Sequence, residues 1–351
     1  MPPTSAVFGV DVIDVGYRSL LDHLSARART PEGRQQRWLI GCSGGPDSTA
    51  LALLARAAGI DMVIAHVIHD GVPAPRGSMQ PSSDDPQSEH NRDGTCGVDG
   101  TDSGRVAVRR LARRLGVPMI ETVVYVPPGA SWESQARTVR RAALCRLAAG
   151  SRCHRVALAH HLDDQAETVM DRLLRGSGVS GVAAMAPVDG IWIRPLLGVR
   201  RATLASICDE AGVSVWNDPT NLEGINVRSW LRTEALPSMS RWLGRDVAVP
   251  LARFAQIARQ ENELLDGLAR QLVDEATCER GLRVAPLRAA PDALAQRALR
   301  IWLGYPRPDQ RAVMRMMTVV AGERVATEVS GYGRFARSGG VVSLVSDPKT
   351  R

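Results

Sequence analysis

The segment Trp38-Leu39-Ile40-Gly41-Cys42-Ser43-Gly44-Gly45-Pro46-Asp47-Ser48-Thr49-Ala50-Leu51 decides the fold. A short apolar run, a turn of serine and glycine, and an alanine- and leucine-rich stretch follow one another directly, which reads as strand, glycine-rich turn and helix. Gly44 and Gly45 let the backbone curl with its N–H groups pointing inward. Ser43 and Ser48 add hydroxyl donors, and the helix N-terminus supplies the positive end of its dipole, so that a pyrophosphate can be held without lysine. Asp47 is then well placed to hold Mg²⁺ beside the phosphates. Ser-Gly-Gly turns and Asp or Ser caps also begin ordinary helices; the strand before the turn and the helix after it favour the phosphate reading.

From Arg37 to about Leu197 short apolar runs alternate with helical periodicity, the pattern of βαβ units around a parallel sheet. The expected strands are Trp38–Cys42, Met62–Val67, Met119–Val124 and Val156–Ala159, with Ile191–Arg194 as a further one. Helices are expected at Ser48–Ala58, Arg105–Leu115, Trp132–Ala149 and Asp164–Leu174, and Leu20, Leu21 and Leu24 suggest one short helix before the first strand. Residues 73–103 break the alternation with six acidic residues against two arginines and much Ser, Gly and Pro, and read as a disordered insertion leaving the carboxyl edge of the sheet. A polar connector spans Asn217–Asn226. After it, Val247 to Cys278 carries Leu251, Phe254, Ile257, Ala258, Leu264, Leu265, Leu268 and Leu272 at helical spacing, the stripe of a packed helix. Glu323 to Val345 reads as short strands around Gly331-Tyr332-Gly333.

The 351 residues suffice for two domains, and the formal charge of +7 favours an anionic partner such as RNA. Lys349 is the only lysine. An internal Schiff-base lysine and a Gly-Lys-Ser/Thr phosphate loop are therefore both excluded. The six cysteines include no C-x-x-C pair and indicate neither a zinc site nor a disulfide framework. Residues 1–15 do not read as a signal peptide, and no run approaches the roughly 18 apolar residues of a membrane span. A cytoplasmic protein is expected. Oligomeric state is not legible, and a homodimer stays open.

A second element is His160-His161-Leu162-Asp163-Asp164-Gln165-Ala166-Glu167-Thr168, followed by Arg172-Leu-Leu-Arg-Gly-Ser-Gly. Asp164 and Glu167, three apart on a helix, share one face and make a natural seat for a cation. His160 ends the fourth strand. A metal cluster of His160, His161, Asp163 and Asp164 is the alternative, although nearly contiguous residues are unusual as a ligand set. Gly176-Ser-Gly178-Val-Ser-Gly181 fits G-x-G-x-x-G literally but follows a helix, whereas the dinucleotide fingerprint follows a strand. Further on, Arg137 and its neighbours Arg140 and Arg141 lie on a helix of their own, and Arg228 and Arg232 stand one helical turn apart, suited to gripping phosphate or a carboxylate.

The turn Ser43–Ser48 resembles that of the PP-loop superfamily, whose members cleave ATP between the α- and β-phosphates. The second element, with Arg194-Pro-Leu-Leu, Arg200-Arg201, Trp216-Asn217-Asp218-Pro219 and Arg228-Ser-Trp-Leu-Arg232 in this order, resembles the tRNA(Ile)-lysidine synthetase family over about residues 37–240. The resemblance implies an α/β fold: a parallel-sheet PP-loop domain of the adenine nucleotide alpha hydrolase, Rossmann-like kind, followed by a smaller mainly helical domain. It implies a division into an extension 1–36, a catalytic domain 37–216 and a tRNA-contacting domain 217–351. It also implies ATP and Mg²⁺ as cofactors, L-lysine and tRNA(Ile) with a CAU anticodon as partners, and ligation of lysine to the wobble cytidine through an adenylated intermediate. On it, Ser43, Gly44, Gly45, Asp47, Ser48 and His160 serve the nucleotide. Asp47, Arg137, Asp164 and Glu167 carry catalysis, and Asp164, Glu167, Arg228 and Arg232 serve the lysine or phosphate. The chain departs from the family pattern at Ile68 and Asp70, at Trp216-Asn217 and at Ser229-Trp230. The rival readings are another PP-loop enzyme acting on tRNA, such as a thiolase, and a noncatalytic nucleotide-binding protein.

Overall fold

The structure is a computed structural model in which residues 17–30, 33–70, 100–126, 132–216 and 227–345 are described. The expectations for residues 1–15, for most of the acidic stretch and for the connector 217–226 lie outside them. The chain forms two compact units, Met1–Ser177 with Ala184–Ala255, and Gly178–Ala183 with Gln256–Arg351.

The first unit is built on a six-stranded sheet in the order β3-β2-β1-β4-β6-β5. Its strands are β1 (Trp38–Gly41), β2 (Met62–Asp70), β3 (Met119–Tyr125), β4 (Arg155–Ala157), β5 (Val188–Asp189) and β6 (Trp192–Ile193). All pairings are parallel except that of β5 with β6, and Trp38 is in register with both Met62 and Arg155. Trp38, Leu39 and Ile40 are fully buried, as the apolar run of a central parallel strand requires. One face of the sheet packs on α1 (Arg18–Arg27), α2 (Pro46–Ala57), α3 (Gly100–Leu115) and α6 (Arg201–Glu210), through Leu24, Leu51, Leu54, Val108, Leu111 and Leu204 among others. The other face packs on α4 (Trp132–Gly150) through Leu144 and Ala148. Strand order runs outward from β1 to β2 and β3 and then returns to β4 on the other side of β1. That reversal opens a crevice at the carboxyl ends of β1 and β4, where α/β sheets bind ligands.

The alternation of strand and helix is as read from the sequence, with three corrections. α3 begins at Gly100, so the last residues assigned to the insertion are helical. The antiparallel edge strand β5 was missed because two residues carry no periodicity. The extension is not separate at its carboxyl end: Leu21, Leu24 and Ala28 are buried in the sheet's core.

The boundary between the compact units along this stretch falls between Ala255 and Gln256. The physical reason is a buried cluster in which Leu162, Ala166 and Met170 of α5 (Leu162–Leu174) meet Leu236 and Met239 of α7 (Leu236–Leu243) and Val247, Ala248 and Leu251. α8 (Ala248–Ala276) contains the boundary, and its packing also differs from the expected stripe. Ala255, Ala258, Ala269, Leu272 and Ala276 are buried, while Phe254, Ile257, Leu264 and Leu268 are exposed. The core side of this helix is chiefly alanine, which permits close approach but gives a weak sequence signal.

The second unit carries more sheet than expected. β7 (Thr277–Cys278), β8 (Gly281–Arg283), β9 (Ala326–Val329), β10 (Gly333–Ser338) and β11 (Val341–Val345) form an antiparallel sheet in the order β7-β8-β11-β10-β9. Gly281 admits no side chain, since a Cβ there would stand 2.2 Å from the Val342 carbonyl oxygen at a φ of +143°. α9 (Asp292–Leu303) and α10 (Gln310–Ala321) cover the sheet with Leu299, Val313, Met316 and Val319 around the fully buried Phe335. Trp302 meets the Phe335 ring edge-on at 6.2 Å. Phe335→Ala is expected to cost about 3–5 kcal/mol, read in urea denaturation; a loss under about 1 kcal/mol would contradict this packing.

Candidate active site

The glycine turn joins β1 to α2. Gly44 sits at φ +89°, and a Cβ on it would stand 2.9 Å from the Gly104 carbonyl oxygen of α3, so glycine is required twice over. Gly45, by contrast, is the extended N-cap of α2 at φ −74°. Ser48, buried, spends its hydroxyl on the turn itself: Oγ accepts from the Ser43 N–H at 3.2 Å and lies 3.2 Å from the Gly45 carbonyl, to which it donates. Ser43 Oγ lies 3.4 Å from Ser48 Oγ. Trp216 closes the turn from outside, donating its N–H to the Gly44 carbonyl at 2.9 Å, with its ring against Gly104.

Asp47 projects from the first turn of α2. Burial pushes its carboxyl up, against the pull of His161 and Arg201, and its Oδ1 is buried without a hydrogen bond. Nε2 of His161 stands 3.7 Å from Asp47 Oδ2 and 3.5 Å from Asp164 Oδ2. The imidazole is 2% exposed and caps α5. Its Nδ1 accepts from the Asp164 N–H at 3.3 Å while the Asp164 carboxylate accepts from the His161 N–H at 3.0 Å, a reciprocal cap. An Nδ1 that accepts leaves the proton on Nε2, which faces the two carboxylates.

Behind this cap Glu167 is 2% exposed and receives two hydrogen bonds from Arg232, Nε at 2.7 Å and Nη2 at 2.9 Å. Nη2 also reaches Asp164 at 3.3 Å. Burial pushes the Glu167 carboxyl up, and the Arg232 bonds pull it back only in part; those same bonds push the guanidinium up. Arg232 lies in a π-helical turn, Leu231–Ala235, that follows the short helix Val227–Trp230. Single π turns re-aim a side chain without ending a helix.

His160 marks the border of a second, basic region. Burial brings its imidazole down to about 4, with Asp164 opposing and Arg194, Arg137 and Arg140 reinforcing the shift, so the ring is neutral at physiological pH. Its Nδ1 is buried without a hydrogen bond. Loss of hydration and the neighbouring guanidiniums of Arg228, Arg140, Arg141 and Arg194 depress Arg137. Arg228 also approaches Thr168 Oγ1 at 3.5 Å, one residue beyond Glu167.

Comparison with known proteins supplies the family. A family profile described as a PP-loop domain matches residues 100–239. The tRNA(Ile)-lysidine synthase of Mycolicibacterium paratuberculosis is 36% identical over 329 residues, covering 90% of this chain and 92% of its own. That of Mycobacterium tuberculosis is 36% identical over 326 residues, covering 89% and 92%. This chain belongs to the tRNA(Ile)-lysidine synthase family. The tRNA(Ile)-lysidine synthase of Nocardia farcinica is 36% identical over 312 residues, at 87% and 86% coverage. Among solved structures, the U34-tRNA thiolase NcsA from Methanococcus maripaludis with its [4Fe-4S] cluster has a TM-score of 0.49 at 15% identity, covering 69% of this chain and 78% of its own.

Against the family pattern, the structure brings Asp47, His160, Asp164, Glu167, Arg137, Arg228 and Arg232 to one crevice. The carboxylate pair Asp164 and Glu167, expected to seat a substrate cation, already holds Arg232. The sequence offered His161 only as a metal-ligand alternative and Trp216 only as a departure from the family pattern; the cap that His161 places on α5 and the hold of Trp216 on the Gly44 turn were not read from it. The literal G-x-G-x-x-G stretch ends α5 and enters the short helix Val179–Val182, not a nucleotide turn after a strand. Among the described residues no group of three His, Cys, Asp or Glu stands in metal-holding geometry.

Arg232→Met leaves Glu167 buried without its cation. Breaking a buried pair costs about 3–5 kcal/mol, and about half of that is expected here because the Arg232 side chain is 36% exposed. Unpaired, the Glu167 carboxyl rises further. A raised carboxyl stabilises the fold at low pH, and that contribution is lost as pH rises through its folded value. The Tm deficit is therefore larger at about pH 8 than at about pH 5, and adding Glu167→Gln removes most of the difference. A deficit independent of pH would contradict the buried pair.

Proposed function

We propose that this protein ligates L-lysine to C2 of the wobble cytidine in the CAU anticodon of tRNA(Ile), consuming ATP and releasing AMP and pyrophosphate. The observation that carries the reading is the meeting of an acidic and a basic half at His160, beside a glycine turn shaped for phosphate. The cytidine O2 attacks the α-phosphate of ATP and pyrophosphate leaves; the lysine ε-amine then attacks C2 and AMP leaves.

The parts divide the charge between them. The N-terminus of α2, with the Gly44 N–H beside it, would meet the β- and γ-phosphates, while Ser43 and Ser48 hold the turn's shape. Arg137, with Arg228 beside it, meets charge developing at the α-phosphate and on the base. His160, neutral and with a free ring nitrogen, offers a hydrogen bond at the border of the two halves.

Asp164 and Glu167 form the seat for the lysine ammonium. An incoming ammonium competes with Arg232 for them, and Arg232 so released has the lysine carboxylate as its next partner. Mg²⁺ fits Asp47, whose buried Oδ1 has no hydrogen bond, because that ion takes one or two carboxylates and fills its remaining positions with phosphate and water. When bound it would neutralise phosphate charge.

Among the described residues no helix is long and apolar enough to cross a membrane. Incubation with ATP, labelled lysine and tRNA(Ile) is expected to place label in the RNA with release of AMP and pyrophosphate. Glu167→Gln should lower lysine transfer at least about 100-fold, about 2.7 kcal/mol, while ATP affinity changes little. Label absent with the unmodified chain would overturn the reading.

A further inference from the structure

A pocket of about 230 Å³ in the second unit is lined by Ser180, Asp266, Arg297, Arg300, Ile301 and Arg307. Three guanidiniums and one carboxylate share it. Asp266 is spent on Arg297, whose Nη1 reaches it at 2.6 Å and Asn262 Oδ1 at 2.7 Å. Arg300 donates to the neutral Gln310 side chain, and among the described residues neither Arg300 nor Arg307 makes an ion pair. From Ala293 to Gly322 the chain holds five arginines and one acidic residue, Asp309. Asp309 is itself committed to capping α10.

Burial and the like charges of Arg297 and Arg307 push the Arg300 guanidinium down. Such a cluster stores repulsion that a bound anion relieves. The segment carrying Arg307 is Gly304-Tyr305-Pro306-Arg307-Pro308, with φ fixed by two prolines and held by a hydrogen bond from the Tyr332 hydroxyl to the Pro306 carbonyl. Tyr305, two residues from Arg307, is 93% exposed.

We infer that this pocket binds a backbone phosphate of the RNA substrate through Arg300 and Arg307, with an unpaired base stacked on Tyr305. The inference rests on the protein acting on tRNA. Arginine forks suit phosphate oxygens, and an aromatic ring beside a basic pocket suits single-stranded RNA, whose bases are free to stack.

Binding of tRNA(Ile) to the full chain is measured over a range of salt for the unmodified protein, Arg307→Gln, Arg300→Gln, Tyr305→Ala and Arg324→Gln. Arg324 lies beyond the other end of α10, a helix about 18 Å long at 1.5 Å per residue. Each pocket arginine variant is expected to weaken binding about tenfold and to flatten the salt slope by about one counterion. Tyr305→Ala should weaken binding roughly fivefold or more with the slope unchanged, since stacking is not ionic. Arg324→Gln should do neither. Arg307 and Tyr305 are exposed, so these two variants keep the fold, checked by unchanged Tm.

Unmodified protein that fails to bind tRNA defeats the functional reading itself. Normal tRNA binding with unchanged slopes in both arginine variants overturns this inference alone. It is equally overturned if Arg324→Gln matches them, which makes the effect one of net charge, or if they lose ATP affinity instead, which makes the pocket a free-nucleotide site.

Discussion

Glu167 is a carboxylate at 2% exposure, and the crevice depends on how that charge is kept. An ionised group so far from water is costly unless it is paired and hydrogen-bonded. Arg232 supplies both with a two-point grip, and it comes from a segment 65 residues further along the chain. The pair thus ties α5 to the stretch Val227–Leu243. The apolar contacts of Leu162, Ala166 and Met170 with Leu236 and Met239 run alongside it. Ion pair and apolar cluster therefore join the same two segments of the chain, one through charge and one through packing. This coupling also explains why the first compact unit extends to Ala255.

Sheet topology supplies the second constraint. β1 and β4 are neighbours whose following segments diverge, so the glycine turn and the His160-His161 pair emerge side by side although more than a hundred residues separate them. His161 then joins the two by its ring, with Nδ1 committed to the α5 cap and Nε2 toward Asp47 and Asp164. A capping interaction that would ordinarily do no more than end a helix here orients a proton donor between two acids.

What was legible in the sequence follows from how local each signal was. The turn, the four main strands and their helices announce themselves within windows of ten to twenty residues, and the carboxylates at 164 and 167 declare a shared helix face by spacing alone. The partner of that face did not. Nothing within Arg228-Ser-Trp-Leu-Arg232 says which arginine meets Glu167, because the choice is made by a π turn and by packing between distant segments. Ser48 shows the same limit: the residue type suggested a donor for phosphate, whereas its burial commits the hydroxyl to the turn. The second unit's sheet was underread because β7 and β8 are two and three residues long, and α8 was misread because its core side is alanine.

A chain with a single lysine, Lys349, must do its cationic work with arginine, and the geometry shows what that choice provides. Guanidinium resists deprotonation even when crowded, so Arg137 can be set beside Arg140 and Arg228, where clustered lysines would shed protons. The planar fork also lets one residue bond Glu167 twice and still reach Asp164, which an ammonium could satisfy only as a point charge. On the reading proposed above, a substrate ammonium would therefore differ in shape and hydration from the guanidiniums of Arg137, Arg228 and Arg232 in this crevice.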